Sequence, residues 1–211
     1  MRKFFLKTAA ALLFAVFSVT SAGASDDVSS ITKDLQEKYS SIRTVSAHFI
    51  QTVGSVASKE TQSTQGRVWF KKPGKMRWVY STKDELISNG RLTWLYQHDL
   101  NQTIETKATG GNIATDFLSG VGDLKKDFDI TVEASGNKIV TLLLKPKEPM
   151  ANIKKMLLDV DKKDRLVVKT IVVDNFGATT AVSLTKIELN GPVSDGFFDY
   201  KPPRGVAIIR P

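Results

Sequence analysis

Two histidines, His48 and His98, are the whole imidazole inventory of this 211-residue chain, and it holds no cysteine. Thiolate nucleophiles, Cys-ligated zinc, disulfides and a lipidated N-terminal Cys are thereby excluded. His48 falls on an alternating, strand-like stretch and His98 in a turn, which leaves each an isolated side chain rather than a base beside a nucleophile. The carboxylate pairs Asp26-Asp27, Asp84-Glu85 and Asp159/Asp161 fall at a helix start or in turns, where solvated carboxylates are expected. Gly-x-Ser-x-Gly, His-Glu-x-x-His, a phosphate-cradling loop and Gly-x-Gly-x-x-Gly are absent from the sequence. The residue types point away from an enzyme, and neither a metal nor a cofactor is expected.

What the chain concentrates instead is apolar area. Between residues 68 and 96 lie Val68, Trp69, Phe70, Met76, Trp78, Val79, Tyr80, Leu86, Ile87, Leu92, Trp94, Leu95 and Tyr96, a stretch that contains all three Trp. Trp69 stands beside Phe70, Trp78 beside Val79 and Trp94 beside Leu95, so both parities carry large apolar groups. A sheet with one wet face alternates cleanly; this pattern implies two covered faces, or one core and one ligand face. Met and Trp linings suit flexible acyl chains and plain cores alike.

The elements that must position these groups are legible in turn. Arg2, Lys3 and Lys7 precede an apolar run from Ala9 to Val19 that ends in Ala22-Gly23-Ala24, the three regions of a secretory signal peptide over 1–24. That run is too short for roughly 30 Å of hydrocarbon. Removing these three of the 30 Lys and Arg lowers the formal charge from +8 to +5 for a single domain at 25–211. A modest, scattered basic excess favours solubility and is compatible with an anionic membrane surface or acidic partner; nucleic acid is not expected. Val28, Ile31, Leu35, Tyr39 and Ile42 recur at helical spacing, predicting one amphipathic helix capped by Ser25 or Asp26. From Val45 the period becomes two, and about eleven antiparallel strands are predicted, separated by turns such as Pro73-Gly74 and a type I′ hairpin at Ser88-Asn89-Gly90-Arg91. So many twisted strands must curl, and a barrel wider than about eight strands cannot be filled by its own side chains. A plugging helix or an apolar cavity follows. Ile113, Ala114, Phe117 and Leu118 lie on one side of a short helix over Asn112–Leu118, whose Gly-rich flank suggests a movable flap.

Taken in order, Gly66-Arg67-Val68-Trp69-Phe70-Lys71-Lys72-Pro73-Gly74-Lys75-Met76-Arg77-Trp78, then Leu86-Ile87-Ser88-Asn89-Gly90 and Leu92-Thr93-Trp94-Leu95-Tyr96, resemble the LolA-type outer-membrane lipoprotein carriers. Ser46-Ala47-His48-Phe49-Ile50-Gln51 resembles the family's Phe-x-Gln strand, and Phe198-x-Tyr200-x-Pro202-Pro203-x-Gly205-Val206 its closing segment. The resemblance implies a mainly β fold, an unclosed antiparallel β-barrel whose apolar concavity is covered by the N-terminal helix and a short lid helix. It also implies a periplasmic chaperone that receives acylated lipoproteins from an inner-membrane ABC transporter of the LolCDE type. Delivery would be to an outer-membrane acceptor of the LolB type where one is present, and the carrier would work as a monomer.

By the same matching, Met76 and Trp78 are expected on the cavity side, with Phe49, Phe70, Leu86 and Trp94 as further lining residues, Leu86 and Trp94 depending on strand parity. Ile113, Phe117 and Leu118, with Ile31 and Leu35 of the N-terminal helix, are expected in the lid. Lys72 stands where the family carries an Arg that fastens the lid to backbone carbonyls, and a Lys lacks the planar multi-donor fork. The acceptor LolB needs an N-terminal Cys that this chain lacks, and a stress sensor of the RseB kind needs a second domain for which it has no room. A carrier of free lipid or glycolipid on the same fold is the alternative.

Overall fold

The computed structural model describes residues 27–54, 60–108 and 124–211. The expected signal peptide at 1–24 and the expected lid helix, with Ile113, Phe117 and Leu118, lie outside the described residues. Helix α1 spans Val28–Ser41, and its cap is Asp27 rather than Ser25 or Asp26: the carboxylate accepts the Ser29 N–H at 3.0 Å. This satisfies one of the amide donors left over at a helix start. Ile31, Leu35 and Tyr39 form the buried stripe, joined by Thr32, whose hydroxyl donates to the Val28 carbonyl at 2.7 Å and so enters the core satisfied.

Twelve strands are present among the described residues, one more than expected. They are β1 (Thr44–Gly54), β2 (Thr61–Lys71), β3 (Lys75–Tyr80), β4 (Glu85–Asn89), β5 (Leu92–Gln97), β6 (Gln102–Lys107), β7 (Phe128–Ser135), β8 (Ile139–Pro146), β9 (Lys155–Asp161), β10 (Val167–Val173), β11 (Thr179–Leu189) and β12 (Ala207–Ile209). A one-turn helix, α2 (Leu124–Asp127), leads into β7. The strands form a single sheet in the order β12-β6-β5-β4-β3-β2-β1-β11-β10-β9-β8-β7, with β12 and β7 as its two unpaired margins. The sheet is therefore unclosed, as expected. The twelfth strand is three residues long, too short to show a period, and it runs parallel to β6 in an otherwise antiparallel sheet.

The expected type I′ turn at Asn89-Gly90 is corrected. Only Gly90 has a positive φ, +87°, whereas a type I′ turn needs two such residues. The Asn89 side-chain oxygen accepts the N–H groups of Arg91 and Leu92, both at 2.9 Å, and this Asx turn replaces the second left-handed residue.

Cross-strand partners share a face, so register carries one interior across the whole sheet. Phe49 stands opposite Leu184 on one side and Gly66 on the other. From there Val68 pairs with Trp78, Trp78 with Leu86 and Leu86 with Leu95. In the other half, Val140, Leu142 and Leu144 oppose Val160, Leu158 and Met156, and all six are buried. The stripe of α1 packs into this same cluster.

The outer face of β2–β6 is covered as well. Phe198, in a 3-10 turn at Asp195–Phe198, is fully buried, and Ile87, Trp94 and Thr103 are buried apart from the main cluster. Phe197 meets the Trp69 ring edge-on at 5.1 Å, and the Tyr200 hydroxyl lies 2.7 Å from that of Thr103. The Arg77 guanidinium lies over the Phe197 ring and donates to Glu85 and to the Phe197 carbonyl. Two covered faces explain the double-sided apolar pattern of this region.

Candidate functional site: the inner apolar face

The inner face begins with Gly66, whose missing side chain lets β2 approach its neighbours. A Cβ there would lie 2.0 Å from the Val79 carbonyl oxygen and 2.9 Å from the Phe49 ring. Glycine is what allows Phe49 to lie over β2 and meet Trp78 edge-on at 4.8 Å and Tyr80 at 5.2 Å. Phe70 also meets Trp78 edge-on, at 5.7 Å. Met76 and Leu86, half-buried, pack against this aromatic group, and Ile31 and Leu35 reach the same cluster from α1.

Five of the six expected lining residues, Phe49, Phe70, Met76, Trp78 and Leu86, thus come together on one face. Trp94 does not. It pairs with Ile87 and Glu105 on the outer face, where its indole N–H donates to the Glu105 carboxylate at 2.8 Å and its ring lies 5.9 Å from Tyr200. The expectation of Trp94 in the concavity is corrected for a simple reason: residues of odd and even number on one strand face opposite ways, and Leu95 holds the inward position.

Lys72 follows the last residue of β2, and its ammonium donates to the Tyr39 carbonyl in the last turn of α1. Partial burial pushes its amine below the ordinary lysine range. The negative end of the helix dipole, and a carbonyl whose second lone pair is still open beside the Ile42 N–H it accepts, make this a natural seat for a cation. The partner lies on α1; the segment expected as the lid helix is outside the described residues.

Other members of the face were not singled out from sequence. Tyr39 places its hydroxyl where it accepts the Val167 N–H at 3.2 Å, tying α1 to β10. Burial pushes that phenol up to about 12, the Val167 bond working against the rise. Tyr80 is likewise pushed up to about 12, by burial first and then by Asp84, and its hydroxyl donates to the Gln51 side chain. The β8 and β9 residues were marked only by their alternation, Val140-x-Leu142-x-Leu144 and Met156-x-Leu158-x-Val160; the signal was there without an aromatic to draw attention.

Of the carboxylates weighed as acids or bases, Asp84, Glu85 and Asp159 are held in structural tasks. Asp84 accepts the His98 N–H, Glu85 pairs with Arg77 at 2.6 Å, and Asp159 accepts the Thr141 hydroxyl. Together the residues of the inner face make one broad apolar surface against which α1 is packed.

The family model described as outer membrane lipoprotein carrier protein LolA matches residues 40–201. An outer-membrane lipoprotein carrier protein of Legionella pneumophila (strain Corby) is 31% identical over 217 aligned residues, covering all of both chains. One of Coxiella burnetii (strain CbuK_Q154) is 28% identical over 203, covering 94% of this chain and 95% of its own. A solved structure of an uncharacterized conserved protein from Thermus thermophilus shares the fold at TM-score 0.57 and 11% identity, covering 88% of this chain and 100% of its own.

Proposed function

The chain belongs to the LolA family of outer membrane lipoprotein carrier proteins, and we propose that it receives lipoproteins at the inner membrane, shields their acyl chains and delivers them to the outer membrane. The family implies a periplasmic location and lipoprotein cargo. The observation that carries the reading is the continuous inner face of the open sheet, apolar from Phe128 through Phe49 to Leu86 and bordered by α1. Each acyl CH₂ is worth about 0.8 kcal/mol out of water, so long chains cross an aqueous compartment only when covered.

Several finer points belong to this proposal. The signal peptide 1–24 directs export and leaves one carrier domain at 25–211. Phe49, Phe70, Met76, Trp78 and Leu86 line the space the chains enter. Ile31 and Leu35, with Ile113, Phe117 and Leu118, form its cover, which Lys72 fastens. The partners are an inner-membrane ABC transporter of the LolCDE type and an acceptor of the LolB type, the carrier acts as a monomer, and it is a chaperone rather than an enzyme.

The test is release. Residues 25–211 are added to spheroplasts holding labelled lipoproteins and supplied with ATP, and the soluble fraction is assayed for a one-to-one complex. Release above a control without the protein is expected. Folded protein that releases no lipoprotein but carries phospholipid when isolated from its own periplasm would replace this reading with a free-lipid shuttle.

A further inference from the structure

Polar atoms that enter the inner face are almost all matched. The Tyr39 hydroxyl takes the Val167 N–H, the Tyr80 hydroxyl takes the Gln51 side chain, and the Thr32 hydroxyl takes the Val28 carbonyl. The exception is the indole N–H of Trp78, the buried side-chain polar atom that has no hydrogen-bond partner among the described residues. Trp78 is 4% exposed and meets the rings of Phe49 and Phe70 at 4.8 and 5.7 Å, with Val68 and Leu86 as its cross-strand neighbours. Its surroundings are hydrocarbon. Trp94 sets the contrast, because its N–H was brought to a carboxylate.

An orphaned buried donor bears the full loss of its hydration with nothing in return, and such atoms call for an explanation. Phe or Leu would fill the same space with no donor to satisfy. Acyl chains cannot satisfy it either, since methylenes accept no hydrogen bond. The acyl chains of lipoproteins and diacyl phospholipids, however, begin at a carbonyl carbon joined through an ester or amide, and that oxygen is an acceptor carried to the edge of any cavity the chain enters. We propose that the Trp78 N–H donates to the ester carbonyl at the head of a bound acyl chain, so that the cargo is held at a set depth by its linkage as well as by its hydrocarbon. This inference rests on the carrier reading and assigns one residue of the inner face the recognition of the acyl linkage. The carbonyl can belong to a diacylglyceryl cysteine or to a free phospholipid; the contact is the same chemistry in both.

The experiment separates these cases with the mature protein, 25–211, and matched probes. The probes are a dipalmitoyl-S-glyceryl-cysteinyl peptide, its dihexadecyl ether counterpart, dipalmitoyl phosphatidylethanolamine and the ether form of that lipid. The wild type is expected to bind ester above ether by about tenfold, the order of magnitude of one buried hydrogen bond. Trp78→Phe is expected to bring the ester-to-ether ratio down to about one, whatever lost packing does to the binding of both probes alike. If Trp78→Phe fails to fold, the benzothienyl isostere of Trp at position 78 removes the N–H with the shape kept. A ratio that is near one in the wild type, or unchanged in the variant, overturns the inference and leaves the carrier reading standing. A preference seen with the phospholipid alone upholds the contact and assigns it to free lipid. Wild-type protein that binds none of the four probes overturns the carrier reading, and the inference with it.

Discussion

At the scale of single residues, Lys72 and Tyr39 show how little chemistry anchors the helix over the sheet. The Tyr39 carbonyl receives the Lys72 ammonium and the Ile42 N–H together, at the end of α1. A Lys offers a point charge where an Arg would offer a fork, so its hold is less directional. Lys72→Leu is expected to slow hand-off to an acceptor more than it weakens loading, measured as separate rates; equal losses in both steps would place the fastening elsewhere. Tyr39 makes a pH prediction. Its phenol is pushed from 10 up to about 12, so the fold favours the protonated form. That contribution is complete below pH 10 and is lost as pH rises through 12, amounting to about 3 kcal/mol for a shift of this size. Tyr39→Phe is expected to cost about 1 kcal/mol at pH 7 through the bereaved Val167 N–H. It should also flatten part of the alkaline fall, the remainder belonging to Tyr80. Denaturant midpoints at pH 7, 10 and 11.5 check both statements, and parallel curves for the two proteins would reject the second.

At the scale of elements, strand positions were written in local pattern. The strands expected after the Pro73-Gly74 turn and on either side of Ser88-Asn89-Gly90-Arg91 are found as Lys75–Tyr80, Glu85–Asn89 and Leu92–Gln97, because turn residues and alternation are properties of neighbours in sequence. The details that failed depend on side chains reaching across turns. Asn89 satisfies two backbone N–H groups with its own carbonyl, and this removes the need for the left-handed conformation that its Asn-Gly pair suggested. Gly66 carries the converse lesson. A glycine inside an otherwise strand-like run announces a close approach, and the structure identifies it as the Val79 carbonyl and the Phe49 ring. Gly66→Ala is expected to destabilise by about 3 kcal/mol, the upper end for overpacking, because the carbonyl it meets is backbone and cannot turn aside. A thermal midpoint within a degree of wild type would show that β2 and β3 can separate without loss.

At the scale of the whole molecule, the protein is one sheet with two differently covered faces. The inner face lies under α1, while the outer face of β2–β6 lies under the C-terminal segment. That segment is held by Asp195, which pairs with Lys71 and Lys75 at 2.9 Å each. The two ammonium groups hold its carboxyl down to about 2, from an ordinary value of 3.8. The attachment is therefore complete above the ordinary value and is lost as pH falls towards 2. Deleting 192–211 is expected to uncover Trp69 and Trp94 and leave Trp78 buried. Tryptophan emission should shift to the red, and the iodide-accessible fraction should rise by about two of the three indoles. Unchanged quenching in a variant with native circular dichroism would show that the segment is not what shields them.

By itself, the amino-acid sequence determined the strand positions to within a residue or two, the helix ahead of them, the family likeness and the absence of thiol chemistry. Each depends on residue type and near-neighbour spacing. The family likeness also named Phe49, Phe70 and Trp78 for the inner face, where the structure brings the three rings together. Only the tertiary structure decided which way Trp94 faces, that a three-residue strand joins β6 in parallel, and that Phe197, Phe198 and Tyr200 close the back of the sheet. The reason is that a side chain's face is set by register with the next strand, where a slip of one residue turns every group over. Register is in turn set by pairings between segments far apart in the chain, such as β1 with β11, which no local pattern records.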